Sequence, residues 1–143
     1  SRGSVSLYDS NPESDPKIQL NMLSEQEDID KMVTGIKLTR ELMAAKVFDE
    51  YRGEEMFPGK DCQSDEDIAD FLRTKADHIY HPVGSCKMGH DDLAVVDDQL
   101  RVHGIDGLRV VDASVMPTLI SGNTNAPVMA MAEKAADLII GGY

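Results

Sequence analysis

A chain of 143 residues with 41% apolar content has the size of one domain, and folding would bury roughly two-thirds of its extended surface. Its net charge of −12 weighs against nucleic acid or anionic lipid as partners, and no apolar run approaches the roughly 20 residues that span a bilayer. With no Trp and only 5% aromatic residues, the core must be packed by aliphatics, Ala and the 8 Met.

The chain starts Ser1-Arg2-Gly3-Ser4, with neither an initiator Met nor a signal peptide, which fits an excised or processed piece. Ser4 to Tyr8 alternates polar and apolar residues and predicts a half-buried strand, and Lys17 to Met22 resumes an extended segment after the turns at Asn11-Pro12 and Asp15-Pro16. Ser24-Glu25-Gln26-Glu27 reads as a capping box opening a helix that buries Ile29, Met32, Val33 and Ile36 and runs to about Lys46. Gly35 inside that helix predicts a close backbone approach.

Phe48 to Lys60 is irregular, and Ser64-Asp65-Glu66-Asp67 starts a second helix with a stripe of Ile68, Leu72 and Ala76. Val95 to Asp97, Leu100 to His103 and Leu108 to Val111 predict short strands, with a turn at Asp106-Gly107. A last helix has Pro127 in its first turn, a face of Val128, Met131, Ala132, Ala135 and Leu138, and a stop at Gly141-Gly142. The fold class is therefore α+β: short, mostly antiparallel strands packed with helices, closed by a strand–loop–helix segment. Most of the acids precede Tyr80.

Chemistry concentrates in the back half. His81-Pro82-Val83-Gly84-Ser85-Cys86-Lys87-Met88-Gly89 puts an imidazole in a turn stiffened by Pro and Gly, and Gly122-Asn123-Thr124-Asn125-Ala126-Pro127 is an amide-rich loop opening the last helix. Between them, Leu108 to Pro117 reads as a strand that ends in small polar residues around Asp112 and Ala113. Taken alone, His81 is a hydrogen-bonded turn residue, Asp112 closes an Asx turn, and the last helix is an amphipathic helix on a core.

Together these runs resemble the C-terminal segment of the glucose–methanol–choline (GMC) family of FAD-dependent alcohol oxidoreductases, a likeness that covers the whole chain and is densest from Tyr80 to Ile140. The resemblance implies that residues 1–94 are part of a substrate-binding domain and that residues 95–143 complete an FAD-binding domain whose dinucleotide-binding part lies upstream. No GxGxxG follows a strand in this chain, so by itself it is expected to bind FAD weakly at best and to be inactive. The resemblance also makes His81 the base that takes the hydroxyl proton and Asn125 the partner that orients the substrate oxygen, with hydride passing to flavin N5. A base that titrates near neutrality and a non-titrating amide suit that chemistry, while the hydride needs a cofactor. Asp112, Ala113, Thr124, Asn125, Pro127 and Val128 would border the flavin, and the Val128 to Leu138 stripe would face the FAD domain.

Within the family, Phe57 to Cys62 and Cys86 to Gly89 are similar to bacterial choline dehydrogenases, but the loop reads Asn125-Ala126-Pro127 where those enzymes usually carry Thr after the Ala. The expectation is therefore a primary aliphatic alcohol as substrate, with choline the alternative and the electron acceptor open. A reducing, cytoplasmic setting is expected because Cys62 and Cys86 make no disulfide framework, with peripheral attachment to the inner membrane left open for the intact enzyme. From another class, a non-catalytic acidic binding or metal-binding module would use His78, His81, Cys86, His90, Asp91, Asp92 and His103, but their spacing is irregular and no metal is assigned.

Overall fold

The computed structural model describes residues 1–142 and divides them into two compact units, the first Ser1–Asp77 and the second starting at His78. The architecture is α+β, with three helices and one two-stranded antiparallel sheet. Among the described residues, no helix is long and apolar enough to cross a membrane.

In the first unit, β1 (Ser4–Ser6) pairs with β2 (Lys17–Gln19) in the register Val5 opposite Ile18. Both strands are exposed along their whole length, so the expected half-buried strand buries nothing within its own unit. Gly3 is needed beside this hairpin: a Cβ there would lie 2.2 Å from the Gln19 carbonyl oxygen. Helix α1 (Gln26–Met43) buries Ile29 and Val33 against Ile68, Ala69 and Leu72 of α2 (Asp65–Lys75), with Leu23, Ile36 and Cys62 packed at the margin. Met32 remains 43% exposed because the apolar stripe is only wide enough for two buried turns.

Three local expectations are corrected. Helix α1 ends at Met43 and is followed by a separate 3₁₀ turn, Lys46–Phe48. Its cap residue is Glu25, without a side-chain cap bond, while the Ser24 hydroxyl accepts from Asn21. The Ser1 hydroxyl instead donates to Asp28 Oδ2 in the first turn at 2.6 Å and accepts from the Glu25 amide at 3.3 Å. Gly35 has nothing within 4 Å of its Cβ direction, so no close approach explains it.

The true capping box opens α2: Ser64 Oγ accepts from the Asp67 amide at 3.1 Å, and Asp67 Oδ2 accepts from the Ser64 amide at 2.9 Å. Lys37 pairs with Asp65 across the two helices, and Arg40 grips Glu55 at 2.9 Å and the carbonyls of Gly59 and Cys62.

The second unit is a mesh of loops around Val96, Leu100, Val115 and Ala135, bordered by Met88, Val95, Val102, Val110, Val111 and Met131. The predicted strands there reduce to isolated bridges: Met88 with Val96, Val96 with Val102, and Arg101 with Arg109. Ladders cannot extend because the chain turns at Asp97, whose carboxylate accepts from the Gln99 and Arg101 amides, and Leu100 sits at φ +64. Ala113–Val115 is a 3₁₀ turn, not the end of a strand. Helix α3 (Asn125–Ile140) docks through Ala135 and Met131, so part of the stripe expected to be bare is covered by the unit's own core. Met129, Ile139 and Ile140 are the exposed large apolar residues of α3, and Ala132 of the predicted stripe is exposed as well.

Ser64→Ala should lower the stability of the chain in urea unfolding by about 1 kcal/mol, the usual worth of an N-cap. Hydrogen bonds from Ser64, side chain first, hold the Asp67 carboxyl below its ordinary value. Its contribution is therefore present above the unfolded carboxylate pKa of about 3.9 and lost as pH falls through the lower folded value. In an acid titration, Asp67→Asn should remove that part of the pH dependence.

Candidate functional site

The residues around His81 all belong to the second unit, and the local backbone aims them. Tyr80 adopts a left-handed conformation, φ +62, and its amide donates to His78 Nδ1 at 3.0 Å, with the two rings in edge contact at 4.9 Å. A non-glycine residue in that region is the kind of constraint that gathers at functional sites. Gly84 follows at φ +87, where a Cβ would meet the Met116 carbonyl oxygen at 3.2 Å. The Cys86 amide then donates to Ser114 O at 2.9 Å and the Met88 amide to Val115 O at 2.8 Å, tying the loop to the segment that leads into α3.

This leaves His81 half-buried against the start of α3. His81 Nδ1 lies 3.0 Å from Thr124 Oγ1, and the Asn123 carboxamide Nδ2 lies 3.2 Å from His81 Nε2. The His81 loop and the amide-rich loop are thus brought together, but through Asn123 and Thr124. Asn125 takes the next position, as the exposed first residue of α3. Asn123 was missed as a functional residue; its only sequence signal was membership of the same amide-rich run.

Thr124 is 8% exposed, and its hydroxyl, expected at the flavin edge, is turned to His81. Asp112 is exposed and closes an Asx turn, its Oδ1 accepting from the Ser114 amide at 2.7 Å, with Ala113 half-buried beside it. Pro127 and Val128 are half-buried in the first turn of α3.

The N-terminus of α3 differs from those of the other helices. Helix α1 places Glu27 and Asp28 in its first turn, and α2 places Asp65, Glu66 and Asp67 there, whereas α3 has no acid and no side-chain cap. Its amides and the positive end of its dipole therefore face outward without compensation, a donor set that suits the anionic edge of a reduced flavin. The residues present fit FAD on this observation.

The alternative metal cluster does not assemble. Among the described residues no group of three or more His, Cys, Asp or Glu could hold a metal ion. His103 Nε2 bonds the Gly89 carbonyl at 3.0 Å, and Lys87, next to Cys86, pairs with Asp91 at 2.7 Å. That hydrogen bond holds the Asp91 carboxyl below its usual range. Both cysteines are free.

Residues 1–132 match the family model described as GMC oxidoreductase. The chain is 51% identical over 97% of its length to an oxygen-dependent choline dehydrogenase of Ectopseudomonas mendocina (strain ymp) and covers 25% of that protein. It is 49% identical to the oxygen-dependent choline dehydrogenase of Proteus mirabilis (strain HI4320) over 99% of the chain, again 25% of the relative. Among solved structures, pyridoxine 4-oxidase from Mesorbium loti superposes with a TM-score of 0.86 at 33% identity, over 94% of this chain and 26% of that one. A formate oxidase of Aspergillus oryzae RIB40, in which FAD is subject to modification, superposes with a TM-score of 0.90 at 32% identity, over 99% and 25%. The chain thus spans a quarter of the length of these relatives.

Gly84→Ala tests the local frame. It places an L side chain at positive φ against a carbonyl, and should destabilise the chain by about 1–2 kcal/mol in urea unfolding. A neutral effect would mean that the loop is not held as described.

Proposed function

Since the chain belongs to the GMC oxidoreductase family, we propose that it carries the base and one wall of the active site of an FAD-dependent enzyme that oxidises choline at its primary alcohol. The observation that carries this reading is His81 held at both ring nitrogens at the uncapped start of α3. His81 takes the hydroxyl proton on Nε2, where the substrate oxygen replaces the Asn123 amide as hydrogen-bond donor. Asn125, exposed one residue further on, orients the substrate oxygen. FAD, when bound, accepts the hydride. By the family resemblance, Asp112, Ala113, Thr124, Asn125, Pro127 and Val128 border it, the last four at the start of α3.

The relatives favour choline over the aliphatic alcohol that the Asn125-Ala126-Pro127 loop pointed to, because about half the residues are shared with proteins named choline dehydrogenases. Tyr80 supports this choice: it is 78% exposed beside the base, and an aromatic face can hold a quaternary ammonium. The relatives are oxygen-dependent, which makes oxygen the proposed electron acceptor.

We assign residues 1–94 to the substrate domain and 95–143 to the FAD domain, with the remainder of the enzyme supplying the dinucleotide site and covering the exposed hairpin and the outer face of α3. The chain alone is then inactive. A cytoplasmic location is proposed for the intact enzyme, in keeping with its two free thiols.

In the intact flavoprotein, anaerobic choline should bleach the visible flavin band, and 1-octanol should do so far more slowly. The reverse order would restore the aliphatic reading, and a protein that takes up no FAD would sink both. His81→Ala should slow flavin reduction about 10² to 10⁴-fold, the range for a lost general base.

A further inference from the structure

We propose that Thr124 is a positioning residue that sets the tautomer and direction of His81, leaving the Nε2 lone pair for the substrate hydroxyl. The inference rests on the reading of His81 as the base.

Thr124 is the one buried polar residue among the described residues, and it stands at the N-cap of α3. A threonine there ordinarily turns its hydroxyl back onto the helix amides, as Ser64 does on α2. Thr124 does not: it makes no side-chain cap bond, and its backbone at φ −77, ψ −14 is helical where Ser64, at φ −76, ψ 160, is extended. The hydroxyl is committed to His81 Nδ1 at 3.0 Å. The helix forgoes its cap, and the imidazole gains a fixed partner.

The neighbouring side chain decides the direction of that bond. The Asn123 carboxamide nitrogen, 3.2 Å from Nε2, can only donate, so Nε2 is the accepting nitrogen. A neutral imidazole with its lone pair on Nε2 carries its proton on Nδ1, and Nδ1–H therefore donates to Thr124 Oγ1. Adjacent residues thus hold both ring nitrogens and select one tautomer. When His81 takes up a proton at Nε2, the Nδ1–H to Oγ1 bond becomes charge-assisted and stronger. Without the hydroxyl, Nδ1–H loses its partner, and the ring can turn over and present N–H where the lone pair is needed.

The test uses the intact flavoprotein, with isotope-labelled histidine read by NMR and rapid mixing for anaerobic flavin reduction. Wild type should show His81 protonated at Nδ1, assigned by loss of the signal in His81→Ala. Thr124→Val should mix the two tautomers and lower the limiting rate of reduction about ten- to hundredfold, the worth of one hydrogen bond to a buried group, with little change in substrate Kd. Thr124→Ser should restore both tautomer and rate. If Thr124→Val fails to fold, the wild-type spectrum still decides, because an Nε2-protonated His81 overturns the proposal. So does a Thr124→Val enzyme that reduces flavin at the wild-type rate while His81→Ala does not. An undiminished rate in His81→Ala would instead remove the reading of His81 as base.

Discussion

The second unit depends on the stitching of the Cys86 to Met88 backbone onto Ser114 and Val115, above the fully buried Val96 and Val115 side chains. Few regular ladders support this region, and its loop amides are satisfied by other loops, by local turns and by the Asp91, Asp97 and Asp112 carboxylates. The segment carrying His81 and the segment leading to α3 are held in one register by those two bonds. A shift of either would separate His81 from Thr124, since a hydrogen bond weakens steeply with an added ångström. Gly84 permits the approach, because both its dihedral and the nearby Met116 carbonyl refuse a side chain.

The first unit is organised differently. Two helices share a small aliphatic core and are fastened by Arg40, Lys37 and the Ser64 box, while its hairpin remains exposed on both faces. A two-stranded hairpin of three residues per strand is marginal by itself. Val5 and Ile18 are exposed there, like Met129, Ile139 and Ile140 on α3, apolar surface of the kind that the proposed remainder of the enzyme would cover. That agrees with a chain spanning a quarter of the length of its relatives.

Much of this was legible along the chain. The two helices of the first unit followed from Ile29, Val33, Ile68 and Leu72 at helical spacing, and α3 from Pro127 and the closing glycines. The helix start was read correctly at Ser64 and the cap wrongly at Ser24, where the helix begins one residue later, with Glu25 as its cap and the Glu25 amide bonded to the Ser1 hydroxyl. The strands of the back half were overcalled: Val95, Val102 and Leu108 carry strand composition, but the Asp97 turn and the left-handed Leu100 interrupt every ladder.

The sequence by itself determined the family, the α+β class and the two loops that form the candidate site, because motif residues and periodicity are local properties. Tertiary structure decided which side chains of those loops meet. Asn123, Thr124 and Asn125 are consecutive polar residues with equal local claims on His81. Only the burial of Thr124 and the angle at which α3 starts give the imidazole to the first two and leave Asn125 exposed. Those are consequences of packing around Ala135 and Val115, which no short window of sequence contains.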